Sequence, residues 1–225
     1  MVVGSMKFDD VSTGEIITPA QVGFSQDALI WVAGSTHPGE EKVVLEIFKK
    51  LKEKFPSAAL ILAPRHIERA QEVCTLAVQS GYSAQRFSAV RATTVPGEVV
   101  VVDTIGHLKA LYRLATVVFV GKSLVGNGGQ NIIEPAFFAK PIIVGPNMQN
   151  FADITDVFLT SRAIIQVQDA VELQDALYRL LSSAQTRQAL GERARLTVQK
   201  NQGATVLTQK FISKVLNTNP FVRLS

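Results

Sequence analysis

The sequence FVGKSLVGNGGQNIIEP, at residues 119–135, joins the end of an apolar strand to a glycine-rich loop and then to a helix. We predict the strand over residues 116–120 and a helix that restarts near Asn131. Glycines at positions 121, 126, 128 and 129 let backbone N–H groups approach a ligand closely, because no Cβ is in the way. A helix N-terminus carries partial positive charge, so loop and helix together suit a phosphate or another anion.

Glu134 is the residue of this stretch that suggests a nucleotide. Three residues into the helix, its carboxylate is placed where sugar hydroxyls would lie if a phosphate occupied the loop. Two plainer explanations stay open. Asn131 and Glu134 have the N-cap-to-N3 spacing of a capping box, with Pro135 tolerated in the first turn. Glycine loops also serve as simple connectors between strand and helix.

The loop differs from two common phosphate-binding motifs. It lacks the Gly-x-Gly-x-x-Gly spacing of dinucleotide sites, and it does not end in the Gly-Lys-Ser/Thr of a P-loop. A dinucleotide-dependent enzyme and a P-loop ATPase are therefore disfavoured.

Composition bounds the class of protein. The 225 residues are 47% hydrophobic, enough for a packed core, and contain no apolar run long enough to span a membrane. The first ten residues show no signal peptide. The single cysteine, Cys74, excludes an internal disulfide and fits core filling within a helix. The three histidines are scattered, so we expect no bound metal.

Charge gives little direct guidance on partners. The net charge of +4 is modest, and the basic residues are spread over several helices with few aromatic residues nearby. We therefore do not expect nucleic-acid binding. A basic protein is compatible with an anionic membrane surface.

Strand-length apolar runs alternate with helical patterns along the chain, which predicts an α/β fold with a doubly wound, Rossmann-like parallel sheet. We expect one domain over residues 1–225, with 1–27 as an irregular lead-in and 204–225 as a C-terminal helix and tail. Strands are predicted over residues 28–33, 58–63, 85–88, 99–102, 116–120, 141–144 and 164–167. The other helices are predicted over residues 40–55, 68–80, 108–113, from 151, 170–182, 186–200 and 204–216.

Four turns follow strands of this predicted sheet, at residues 34–39, 64–66, 103–107 and 121–131. They hold most of the polar residues that suggest chemistry. Ligands of open α/β sheets bind outside the carboxyl ends of the strands. The sequence therefore predicts a nucleotide-type site at this edge.

The same turns carry a resemblance to a known family. GSTHPGEE at 34–41, PRH at 64–66, DTIG at 103–106 and GGQNIIEP at 128–135 occur in the order found in the 3-deoxy-D-manno-octulosonic acid (Kdo) transferases of lipopolysaccharide synthesis. Similar segments at 145–151 and 201–204 extend the resemblance over essentially the whole chain. These enzymes have the two-domain GT-B fold, and this sequence resembles only the second domain. Residues 4–9 resemble the family's passage from the first domain to the second.

The resemblance implies a donor, an acceptor and a location. The donor would be CMP-Kdo, transferred with inversion and without a metal or another cofactor. The first domain, which this sequence does not resemble, would bind a lipid A precursor and supply the catalytic carboxylate. The full-length enzyme would associate with the cytoplasmic face of the inner membrane, and the chain alone would bind CMP-type ligands without catalysing transfer.

Site residues also follow from the resemblance, position by position. Pro64 and Arg65 would contact the nucleotide, with Arg65 near the phosphate or the donor carboxylate. Ile105, Gly106 and His107 would line the cytidine side. Phosphate and ribose would be held by Asn131, Ile132, Ile133 and Glu134. Cleft-lining positions would be Ser35, His37, Gly128, Gly129 and Gln130.

Several of these residues have structural alternatives. Arg65 and His66 could be a solvated loop pair, Ser35 and Thr36 with Glu40 could cap a helix, and His107 could be a surface cap residue. Glu40 and Glu41 are expected at a helix start, near solvent, where the helix dipole favours their charge.

The sequence departs from the family pattern at three positions. His107 stands where the family usually has Glu, Gln130 where it has His, and Lys122 where it has Gly. These changes leave open the identity of the sugar and the retention of activity. A GT-B epimerase of UDP-sugars, another glycosyltransferase domain, and a nucleotide-binding or interaction module without activity remain alternatives.

Overall fold

The computed structural model of the chain describes residues 4–10, 15–90 and 97–218. Among these residues, no helix is both long and apolar enough to cross a membrane. The described part of the lead-in forms two short 3-10 turns, Met6–Phe8 and Pro19–Val22, and buries Phe8 and Val22 in the core.

Seven strands of the described residues form one sheet in which every neighbouring pair is parallel. The strand order is β3-β4-β2-β1-β5-β6-β7, so the direction of winding reverses between β1 and β5. This architecture confirms the predicted α/β fold. The strands are β1 Leu29–Thr36, β2 Ala58–Pro64, β3 Ala84–Arg86, β4 Val99–Val101, β5 Val117–Val120, β6 Ile142–Val144 and β7 Ile165–Gln166.

Helices cover both faces of the sheet. They are α1 Glu40–Lys54, α2 Ala70–Gln79, α3 Leu108–Leu114, α4 Ile133–Phe137, α5 Ala152–Thr160, α6 Ala170–Ser182, α7 Ala184–Asn201 and α8 Ala204–Thr218. Within β1, Trp31 packs into the core under α1, α2 and α6, whereas Val32 packs into the core under α3, α4 and α5. Because successive strand side chains point to opposite faces, a sheet covered on both sides needs continuous apolar runs.

Cys74 belongs to the first of these cores, as predicted, and burial raises the pKa of its thiol. A buried thiol with a raised pKa is a poor nucleophile at neutral pH, because little of it is present as thiolate.

Two boundaries differ from the predictions for a local physical reason. The first strand runs on to Thr36 instead of ending at residue 33, because a bulge at Ser35 (φ 55°) lets pairing with β2 resume after Gly34. The second helix begins at Ala70, after a 3-10 turn over Ile67–Arg69, and not at residue 68. The predicted turn over residues 34–39 is therefore shorter and tighter.

Candidate functional site

The predicted turns meet at the carboxyl edge of the sheet, on either side of the point where the winding reverses. The end of β1 pairs with the end of β5, with Gly34 opposite Val120. The turn after β1 therefore lies beside the glycine-rich loop, at residues 121–131. This crevice is the usual ligand position in open α/β sheets.

Glu40 fills the first half of that loop. Its carboxylate accepts hydrogen bonds from the backbone N–H groups of Lys122 at 2.7 Å, of Ser123 and Leu124 at 3.0 Å, and of His37 at 3.0 Å. Its side chain is fully buried. Two expectations are therefore wrong: Glu40 does not face solvent, and the amides of residues 122–124 hold this carboxylate and not a ligand.

The close approach of Glu40 requires a glycine at position 121. A Cβ on Gly121 would lie 2.8 Å from Glu40 Oε2 and 2.6 Å from the Cα of Thr36. The glycine therefore lets the loop close over the carboxylate.

Glu41 is buried as well, so its predicted position near solvent is also wrong. It accepts hydrogen bonds from Thr36 Oγ1 at 3.0 Å and from Arg69 Nη1 at 2.8 Å. The N-cap of α1 is Gly39, which has no capping side chain. The Thr36 hydroxyl thus anchors Glu41 and does not cap the helix end.

The second half of the loop is held by the segment after β6. Gly128 N–H donates to Gln149 Oε1 at 2.9 Å, and Gly129 N–H donates back to Lys122 O at 2.7 Å. Both glycines have positive φ, and a Cβ on either would lie within 2.7 Å of Asn150 or Met148. Gly128 and Gly129 therefore set the shape of the loop, and their own N–H groups are already hydrogen-bonded.

Asn131 and Glu134 form the start of α4. Asn131 Oδ1 accepts from the Ile133 N–H at 2.9 Å, and Asn131 Nδ2 donates to Glu134 Oε1 at 3.4 Å. The N-cap of α4 is Ile132, so Asn131 precedes the cap and Glu134 is the second helical residue. The N-cap-to-N3 capping box considered for this pair is therefore not formed, and Asn131 instead accepts from the first helical N–H. Ile132 and Ile133 are fully buried, so their backbone atoms are what they can offer to a ligand.

Glu134 sits in a partly buried, mixed electrostatic environment. Burial raises the pKa of its carboxyl, and Lys109, Asn131 and Arg65 oppose that rise. The phenol of Tyr112 is buried beside it and has a raised pKa, from burial first and from the charge of Glu134 second. The charges of Lys109 and Arg65 lower the pKa of Glu134 and that of Asp10 raises it, so cations and an acceptor carboxylate act on one region, which suits a phosphate linked to a polyhydroxyl sugar.

A cavity of about 140 Å³ adjoins this group between the ends of β1, β2 and β4. It brings together five of the residues predicted from sequence: Ser35, Pro64, Arg65, Ile105 and Gly106. Ile105 is 82% exposed, so its apolar side chain is available to a ligand. Thr104, Ile67 and Leu108 also line the cavity and were not predicted.

His107 lies apart from the other predicted residues. Its ring is 5.2 Å from that of Phe87, and it lines a different cavity of about 500 Å³ together with Glu15, Gln21 and other residues. This cavity is the larger, but of the predicted site residues within the described ranges it contains His107 alone. The convergence of the motifs therefore favours the smaller one. His107 N-caps α3 through its backbone.

The remaining cleft positions surround the end of β1. His37 Nδ1 lies 3.2 Å from Ser35 O, and its ring is 5.8 Å from that of His66 in an edge-on arrangement. Tyr112 packs its hydroxyl where a Cβ on Gly34 would be, 2.1 Å away, so the glycine admits the phenol. Gln130 is half-buried directly before Asn131.

Comparison with known proteins identifies the family. No protein-family model matches the chain. The C-terminal CMP-Kdo binding domain of WaaA from Acinetobacter baumannii superposes with a TM-score of 0.72 at 31% identity, covering 77% of this chain and 91% of that domain. The chain belongs to the Kdo transferase family.

Sequence comparison with Kdo transferases supports the same family. The enzyme of Haemophilus influenzae is 31% identical over 207 residues, which are 90% of this chain and 48% of that protein. That of Aquifex aeolicus is 36% identical over 151 residues, 67% of this chain and 41% of that protein. The chain thus spans about half the length of these Kdo transferases. HepE of Anabaena, crystallised with UDP, shares the fold at 12% identity and a TM-score of 0.59.

Proposed function

We propose that this chain binds CMP-Kdo as the donor half of a Kdo transferase that acts on a lipid A precursor in lipopolysaccharide synthesis. One observation carries the proposal. The end of β1 and the turns after β2 and β4 line one cavity, and Arg65 in that lining acts, together with Lys109, on the charge of Glu134. Membership of the Kdo transferase family and likeness to a CMP-Kdo binding domain support this choice of donor.

Each part of the donor is assigned its own binding residues. Arg65 and Lys109 supply positive charge for the phosphate, and Glu134 accepts hydrogen bonds from ribose hydroxyls. A typical ligand pocket has roughly 300–1,000 Å³, so a cavity of about 140 Å³ suits one part of the nucleotide, the base, against Ile105 and Gly106.

Metal is not needed in this proposal, because side-chain cations are close to the expected phosphate. No cluster of three or more His, Cys, Asp or Glu side chains suited to a metal ion occurs in residues 4–10, 15–90 and 97–218.

Acceptor binding, the catalytic carboxylate and membrane association are proposed to reside in the part of the relatives that this chain does not match. In this view residues 1–225 form one donor-binding domain. The family's location would be the cytoplasmic face of the inner membrane.

CMP is expected to bind about tenfold or more tightly than UMP. Cytosine offers an exocyclic amino donor where uracil has a carbonyl, and an unmatched polar group in a partly buried site costs about 1–3 kcal/mol. Titration calorimetry with CMP, UMP and UDP measures the difference.

The three ligands also separate the alternatives. A preference for UDP would favour the epimerase alternative, and equal affinity for all three would contradict the proposed donor. Failure of every nucleotide to bind would favour an interaction module.

A further inference from the structure

We propose that Glu40 makes the site selective for nucleoside monophosphate donors, because its carboxylate occupies the anion position of the glycine-rich loop. This inference rests on the proposed function and deepens it. It concerns the number of phosphates that the cleft accepts, which is independent of the choice of base.

The contacts of Glu40 are those expected of a bound anion. Oε1 accepts from the N–H groups of Ser123 and Leu124, and Oε2 accepts from those of Lys122 and His37, all within 3.0 Å. Consecutive loop amides that converge in this way form a common binding site for phosphate. Here the chain supplies the anion itself, and the carboxylate is fully buried.

The occupied amides adjoin the part of the loop expected to hold the donor phosphate. The hydrogen bond from Gly129 N–H to Lys122 O, at 2.7 Å, folds the second half of the loop back against the first. A phosphate near Asn131 and Glu134 would have the residue 122–124 amides as its neighbours. A second phosphate extended towards these amides would meet the Glu40 carboxylate, which already accepts their hydrogen bonds.

The physical consequence differs for the two donor classes. A CMP-sugar has one phosphate and needs none of the amides that Glu40 holds. A nucleoside diphosphate brings a further phosphate and at least one more negative charge than the matching monophosphate, and like charges placed together weaken binding. Glu40 is therefore expected to weaken the binding of a nucleoside diphosphate and to leave the binding of a monophosphate unchanged.

Glu41 provides a matched control on the same helix. It is also a buried carboxylate, but its partners are Thr36 and Arg69 and not the loop. Glu40→Gln and Glu41→Gln each remove one buried charge from the first turn of α1. Glu40→Gln alone removes it from the loop.

The test compares CMP with CDP, which share base and sugar and differ by one phosphate. By calorimetry, wild-type protein should bind CMP at least about tenfold more tightly than CDP. Glu40→Gln should narrow this ratio to less than about threefold, while Glu41→Gln should keep it, even if both variants melt at a lower temperature.

The outcomes separate this inference from the proposed function. If wild-type protein binds CMP and CDP equally tightly, the inference is overturned while the proposed function stands. The same holds if a folded Glu40→Gln variant keeps the wild-type ratio of CMP to CDP affinity. If that variant does not fold, the wild-type ratio decides. If wild-type protein binds neither CMP nor CDP, both the proposed function and this inference are overturned.

Discussion

Replacing Glu134 with Gln is expected to weaken CMP binding about ten- to a hundredfold. A hydrogen bond to a charged acceptor contributes roughly 1.5–3 kcal/mol, and Gln keeps the shape while losing the charge. Stability should not fall with affinity, since the Gln oxygen can still accept from Asn131 Nδ2, which lies 3.4 Å from Glu134 Oε1. Calorimetry and thermal melting of the same samples measure both effects.

The pH dependence gives a second readout for this variant. The pKa of Glu134 is raised from its ordinary value of 4.5 by burial. The folded state therefore binds the proton more tightly than the unfolded state, and this contribution to stability is lost as pH rises through the raised pKa. The loss should be absent in Glu134→Gln.

Glu192→Gln is a suitable control, because Glu192 lies on α7 and pairs with Arg195. CMP affinity that stays at the wild-type level in Glu134→Gln would contradict the ligand role. A loss of affinity of the same size in the control would show that the effect is not specific to the cleft.

On its own the chain is expected to form glycosylated lipid at least about a hundredfold more slowly than an intact transferase. General-base assistance is worth about 10²–10⁴ in rate, and positioning of the acceptor is worth more. Several carboxylates at the sheet edge are already engaged. Glu40 and Glu41 are buried and bonded, Asp103 accepts from the N–H and hydroxyl of Ser88, and Glu134 contacts Asn131.

The assay mixes the chain with CMP-Kdo and a lipid A precursor, and mass spectrometry follows the product. A separately expressed acceptor domain from a full-length relative is then added. Product only after this addition is the expected result, and product from the single chain at the rate of an intact enzyme would contradict it. In that case Asp10 is the carboxylate to replace, since it is exposed and its charge raises the pKa of Glu134.

The fold was predictable because its determinants are local. Apolar runs such as residues 58–63 belong to strands buried on both faces, and helical periodicity separates them, so the parallel sheet follows. The meeting of the four turns was also predictable, because the carboxyl ends of parallel strands share one edge.

The role of Glu40 was not predictable in the same way. A Glu in the first turn of a helix has the same local pattern whether solvent or a neighbouring loop surrounds it. Its partners in the loop, the amides of residues 122–124, lie more than 80 residues away along the chain and reach it because β1 and β5 are adjacent. The missing signal was the strand order. With it, a helix start free of capping side chains beside a glycine loop would have suggested the contact.

The separation of His107 from Gly106 has a conformational origin. Gly106 has φ 90°, a left-handed conformation that turns the chain sharply. Ile105 and Gly106 therefore line the cavity at the strand ends, while His107 packs on Phe87. Neighbours in sequence were predicted to share one function, and a single glycine places them in different cavities.

We expect CMP to bind at the ends of β1, β2, β4 and β5, and amide chemical shifts recorded during a CMP titration measure this position residue by residue. The largest shifts are expected on Arg65, Gly106 and Asn131, with little change at Gln21 and Ser88 in the larger cavity. Shifts concentrated on Gln21 and Ser88, with Gly106 and Asn131 unmoved, would contradict it.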